Sequence, residues 1–167
     1  WKLKGDILLL LKNQVPEALT AFRKTVEIKP DFLVGHTAII TLLLQQNNLA
    51  DVVTQLEQLK KVAPNHPQTR YLEAQLAYQK KDFKSTRELV QQVLKVVPNN
   101  VQGLQLAGAA EFRLGSVGQA ETYLAKALQL SPELPIALLA GVVLGASAHR
   151  AGLCTVKAVA DKSGEAA

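Results

Sequence analysis

The chain is 167 residues long, 48% hydrophobic and 20% charged, with a formal charge of +5 and a pI of about 9.4, which suits one compact domain or a short repeat array. Aromatics at 5% leave a core of Leu, Val and Ala, which favours helix over strand, and the single cysteine, Cys154, excludes an internal disulfide. The lysines come in scattered pairs such as Lys60-Lys61 and Lys80-Lys81; they read first as a solvated face, and a basic surface does not by itself choose among acidic proteins, nucleic acid and anionic lipid.

No methionine occurs anywhere and the first residue is Trp1, which predicts a piece of a longer chain. From there the elements are punctuated by proline. Pro30, Pro64, Pro98 and Pro132 each follow the last by 34 residues. Each closes an apolar-periodic segment: TAFRKTVEIKP, TQLEQLKKVAP, RELVQQVLKVVP and TYLAKALQLSP. Proline lacks the backbone N–H and disfavours helix in the residue before it, so the four mark helix ends. Pro16, Pro67 and Pro135 stand where a new helix would begin, the position at which proline is tolerated.

Each unit divides again near its middle. The divisions are Lys12-Asn13-Gln14, Gln46-Asn47-Asn48, Lys81-Asp82 and Leu114-Gly115-Ser116, all of turn and cap residues. Ser116 with Gln119 fits a capping box. Units of about 1–30, 31–64, 65–98 and 99–132 therefore each predict two helices of roughly 12–15 residues joined by a tight turn. In the fourth, Leu104, Ala107, Gly108, Leu114, Ala120, Leu124, Ala127 and Leu128 recur at helical spacing. The apolar run 135–148, with Gly141 and Gly145, ends at His149-Arg150, short of the roughly 20 residues of a membrane span. It predicts a buried helix of a degenerate fifth unit, 133–161, which includes a short helix over 153–161. The tail 162–167 is expected to be disordered.

These residues resemble the tetratricopeptide repeat, a 34-residue helix pair with small residues at set positions and a closing proline. The fourth unit carries the resemblance best, in Gly108, Gly115, Ala120, Leu124, Ala127 and Pro132; the first keeps Ala18, Phe22 and Pro30. The second and third depart from it at Val52 and Thr86, where alanine is usual, although Ala74 and Pro98 hold. The resemblance covers residues 1–132 firmly and 133–162 loosely. It implies an all-α fold, a right-handed α-solenoid of tandem antiparallel helix pairs forming a single domain over 1–161. The opening phrase LKGDILLLLKNQVPEALTAFRKTVEIKP also resembles the repeats of bacterial PEP-CTERM-system lipoproteins. That would imply an exported parent, with membrane attachment only through an anchor outside this sequence.

Nothing in the sequence proposes a reaction, a cofactor or a metal site. His36, His66 and His149 share no i, i+4 spacing and have no CxxC or HExxH beside them, so each reads as an isolated surface histidine. Cys154 has no activating neighbour, and Glu73, Glu88, Glu111 and Glu121 are scattered over helix faces.

The resemblance further implies a concave face lined by the first helix of each unit. Placed in register by the prolines, that face presents Val34, Thr37, Thr41, Leu44 and Gln45 from the second unit. It continues with Gln68, Tyr71, Gln75, Tyr78 and Gln79, then Gln102, Gln105, Ala109, Phe112 and Arg113. Thr41, Gln68, Tyr71, Gln75, Tyr78, Gln105, Phe112 and Arg113 are the candidate peptide-binding residues. Amides can pair with an extended backbone, and Tyr and Arg are frequent anchors; Tyr71 and Tyr78 could instead pack between helices. A clamp for a terminal carboxylate does not fit, since Arg113 is the only cation among these positions.

The expected function is a non-catalytic scaffold for a protein or extended peptide. Single-stranded RNA is the alternative, because helical hairpins of similar length read RNA, but the period of 34 and the closing prolines argue against nucleic acid. A third reading is a spacer or homo-oligomer contact through exposed terminal helix faces.

Overall fold

The computed structural model describes residues 1–10 and 14–132. Among these residues eight helices follow one another, α1 (Lys2–Leu10), α2 (Val15–Ile28), α3 (Leu33–Gln45), α4 (Leu49–Val62), α5 (Pro67–Gln79), α6 (Phe83–Val96), α7 (Val101–Arg113) and α8 (Val117–Leu130). Among the described residues there is no strand. The bounds of α3, α5 and α7 repeat at intervals of 34, as do those of α2, α4, α6 and α8. Each even-numbered helix stops two residues before a ladder proline, and Pro16 and Pro67 sit in the first turns of α2 and α5. The expected turn at 12–14, the unit 133–161, the tail 162–167, Pro135, His149 and Cys154 lie in whole or in part outside the described residues.

Every helix packs on the next along the chain, and three-residue turns make the two helices of the second, third and fourth units antiparallel. Across units the odd-numbered helices also meet, α3 on α5 and α5 on α7, while the even-numbered ones have no comparable contact. An array that touches on one side only curves toward that side, so α3, α5 and α7 line the inner face. The fold is an α-solenoid of tandem helix pairs.

The turns share one backbone shape. Asn47, Lys81 and Gly115 occupy equivalent positions at φ 55°, 63° and 82°, the left-handed region that reverses the chain in three residues. The following caps are local. Asn48, Asp82 and Asn100 accept bonds from the backbone N–H three residues on, and His66 accepts one from Gln68, two residues on. Ser116 begins α8 without a side-chain cap bond, so the expected capping box is not made.

One cap has a pH consequence. Bonds from the Ser85 hydroxyl and backbone N–H hold the Asp82 carboxyl below its ordinary range, with Lys84 adding to the effect. A folded pKa below the unfolded one gives stability that is present above the unfolded value of about 3.9 and lost as pH falls through the folded value. Asp82→Asn keeps a capping oxygen without the charge. Its melting temperature should therefore fall less than the parent's between about pH 6 and about pH 3.

The core repeats with the helices. Ala18, Val52, Thr86 and Ala120 are fully buried at one register position, and Phe22, Leu56, Val90 and Leu124 are buried at another. Val52 and Thr86 are accommodated where alanine is usual; the Thr86 hydroxyl donates to the Asp82 carbonyl at 2.7 Å, so nothing polar is orphaned. In the fourth unit α7 and α8 approach closely at Gly108. A Cβ on Gly108 would lie 2.6 Å from Leu124 Cγ and 3.2 Å from the Ala120 carbonyl.

Candidate functional site: the inner face of the solenoid

The inner face is assembled from one side of α3, α5 and α7. Where the three meet there is an open cleft of about 250 Å³, walled by Thr41, Gln45, Gln75, Tyr78 and Gln79 and floored by Leu44 and Leu106. Three of the sequence-predicted residues, Thr41, Gln75 and Tyr78, come together here. Gln68, near the start of α5, and Gln105, Phe112 and Arg113 on α7 do not line it.

The cleft is held in shape by one bond between units and one within α5. Gln79 Nε2 donates to the Leu44 carbonyl at 3.0 Å, tying the end of α5 to α3. Gln75 Nε2 donates to the Tyr71 hydroxyl at 3.0 Å. Tyr71 itself is only 8% exposed, and burial pushes its hydroxyl pKa up. Of the two tyrosines Tyr71 thus packs between helices and orients Gln75 from below, whereas Tyr78 stands half-buried at the cleft wall.

Tyr78 is backed by an aromatic-cation stack. Its ring meets Phe83 edge-on, with centroids 5.4 Å apart at 65°, and the Arg113 guanidinium lies 5.2 Å from the Phe83 centroid. Such contacts contribute roughly 0.5–1.5 kcal/mol each beyond area burial. Arg113 therefore braces the turn end of the third unit.

Two residues differ from their sequence reading. His36 is buried, not on the surface. It falls one residue after Gly35, in the α3 turn that packs under Pro30. Its Nε2 lies 2.8 Å from the Pro30 carbonyl, which can only accept, so Nε2 carries the proton; Nδ1 then accepts from Gln55 Nε2 at 2.6 Å. This bridges the closing proline of one unit to α4 of the next. Glu111 is buried as well, at the α7 position that corresponds to the buried Leu43 of α3. The signal available for both was the 34-residue register, which places core positions even where the residue is polar.

A cleft of about 440 Å³ on the other side, between α2 and α4, is lined by Arg23, Glu27, Gln58 and Lys61 around the buried His36. Both ring nitrogens of His36 are already engaged, and the charges there are mixed. Among the described residues no group of three His, Cys, Asp or Glu side chains is placed to hold a metal, and no helix is long and apolar enough to cross a membrane.

Residues 71–135 match the tetratricopeptide repeat family model. Among solved structures the chain is similar to TTC0263, a thermophilic TPR protein of Thermus thermophilus, with a TM-score of 0.74 at 18% identity, covering 84% of this chain and 78% of that one. It is also similar to MamA, with a TM-score of 0.65 at 12% identity over 87% of this chain and 84% of that one. A further likeness is to MamA 41-end from Desulfovibrio magneticus RS-1, with a TM-score of 0.62 at 19% identity over 78% of this chain and 73% of that one. No curated protein matches the chain. The family match is thus to residues 71–135, and the structural likenesses are likenesses of fold.

Proposed function

We propose that this tetratricopeptide-repeat solenoid is a non-catalytic scaffold that holds a protein partner on its inner face. The observation that carries the reading is the cleft shared by α3, α5 and α7, where Thr41, Gln75 and Tyr78 from two successive units face one space. Three packed helices present hydroxyls and amides there, with Gln79 tied to the preceding unit and Gln75 to Tyr71, and a preorganised polar surface loses little freedom on binding. Thr41, Gln75 and Tyr78 contact the partner directly, and Tyr71 positions Gln75. Gln68, Gln105, Phe112 and Arg113 extend or brace the same face. The domain organisation that goes with this reading is a single solenoid over 1–161 with a terminal tail.

The likeness of residues 3–30 to envelope lipoprotein repeats supports bacterial envelope protein sorting or exopolysaccharide export as the setting. RNA binding remains the weaker reading, because the cleft walls carry no Lys or Arg for phosphate.

Photo-crosslinking tests the face. A benzophenone amino acid placed at Thr41 or Gln75 should capture protein partners in cells of the source organism. The same label at Gln58 or Gln92, on the outer helices α4 and α6, should capture few. Equal capture from both sides would remove the inner-face assignment.

A further inference from the structure

On a chain of net charge +5, the inner-face cleft is lined by no charged side chain. α3 carries no Asp, Glu, Lys or Arg, whereas α4 and α6 carry four each. The charged residues of α5 and α7 are Arg70, Glu73, Glu111 and Arg113, and each is engaged or buried. Arg70 donates to Gln92 Oε1 at 2.6 Å and to Asn65 Oδ1 at 3.1 Å. Glu73 is paired with Lys60 of α4 at 2.6 Å. Glu111 is 4% exposed, and Arg113 lies over Phe83. The surface left at the cleft is therefore amide, hydroxyl and aliphatic.

That chemistry selects a ligand. A primary amide offers two donors and an acceptor, which matches a peptide group on both counts. Gln75 and Gln79 each use one N–H within the protein, so a second N–H and an oxygen remain on each. A helical ligand has already paired its backbone internally, while an extended one has not. A carboxylate or ammonium entering the cleft would lose water with no opposite charge to receive it, a heavy penalty. Leu44 and Leu106 supply an apolar floor for one aliphatic side chain.

We propose, resting on the reading of the inner face as the binding face, that the groove takes an internal, uncharged, extended segment of a partner polypeptide. Its backbone pairs with Gln45, Gln75 and Gln79, and one aliphatic side chain seats between Tyr78 and Leu106. Chain termini and charged motifs are rejected.

Fluorescence anisotropy on this chain with three labelled octapeptide pools tests the proposal. One pool is acetylated and amidated and contains only Leu, Val, Ser, Thr, Asn and Gln. The second has the same composition with a free terminal carboxylate, and the third is capped but interspersed with Asp, Glu, Lys and Arg. The capped neutral pool should bind at least about tenfold tighter than the others. Its affinity should change less than about twofold between roughly 50 and 500 mM salt, and Gln79→Ala should weaken it. Preference for the carboxylate or charged pool, abolished by Gln79→Ala, would overturn the neutral-segment proposal and keep the inner face as the binding surface. Binding that Gln79→Ala leaves unchanged would overturn the inner-face reading itself. No binding of any pool would overturn the proposal.

Discussion

Phe22→Ala is expected to destabilise the chain by about 3–5 kcal/mol, the range for deleting a buried aromatic ring. Phe22 is 1% exposed, and its ring fills the space beside Gly5, where a Cβ would stand 2.7 Å from ring Cζ. The glycine and the ring are therefore one contact. Gly5→Ala gains about 1 kcal/mol of helix propensity but must displace the ring, an overpacking loss of about 1–3 kcal/mol. In the Phe22→Ala background the same methyl enters a cavity, and Gly5→Ala should turn stabilising. Urea denaturation of the four proteins measures that change of sign; simple additivity would show that ring and glycine are independent. In a linear array the damage is also local. Because α1 packs chiefly on α2, amide exchange protection should fall in α1 and α2 and persist in α5–α8.

Tyr78→Ala is expected to weaken binding of the capped neutral peptides by about tenfold or more, a typical effect for a tyrosine anchor. The ring is both cleft wall and partner of Phe83, so its removal widens the cleft and frees the Phe83–Arg113 stack. Tyr78→Phe keeps the ring and should retain most of the affinity. Arg113→Ala, which removes the brace and not the wall, should have the smaller effect. Calorimetric titration of the three variants, with circular dichroism to verify helix content, orders them. Equal loss in Tyr78→Phe and Tyr78→Ala would assign the affinity to the hydroxyl and not the ring.

The helix boundaries were legible because punctuation and periodicity agreed. Pro30, Pro64, Pro98 and Pro132 follow the ends of α2, α4, α6 and α8, and Gln46-Asn47-Asn48 and Leu114-Gly115-Ser116 are the turns that their composition suggests. Backbone rules of this sort act within a few residues and leave a local trace. The inner face was legible as a set of positions, since register alone decides which side of a first helix looks inward. What escaped was which of those side chains are spent on the protein itself. His36 reaches Gln55, Arg70 reaches Gln92, and Gln79 reaches Leu44. Those partners lie in other helices, Gln55 and Gln92 in the same unit and Leu44 in the preceding one, and only the packing of helix on helix brings them within bonding distance. Lys81 shows the opposite case. A β-turn glycine was not needed there, because the left-handed position is held by bonds from Lys81 N to the Tyr78 carbonyl and from Asp82 N to the Ala77 carbonyl.

The common interval of the helix bounds has a consequence for heredity. Pro64-Asn65 and Pro98-Asn99 are the same junction, so excising the residues from 65 to 98, or copying them in tandem, joins a helix end to the start it would have met anyway. Recombination between such stretches changes the number of storeys without creating a new seam. The length of the array is thus the property that mutation can alter in whole steps, while a shift by any other number of residues would turn apolar faces toward water.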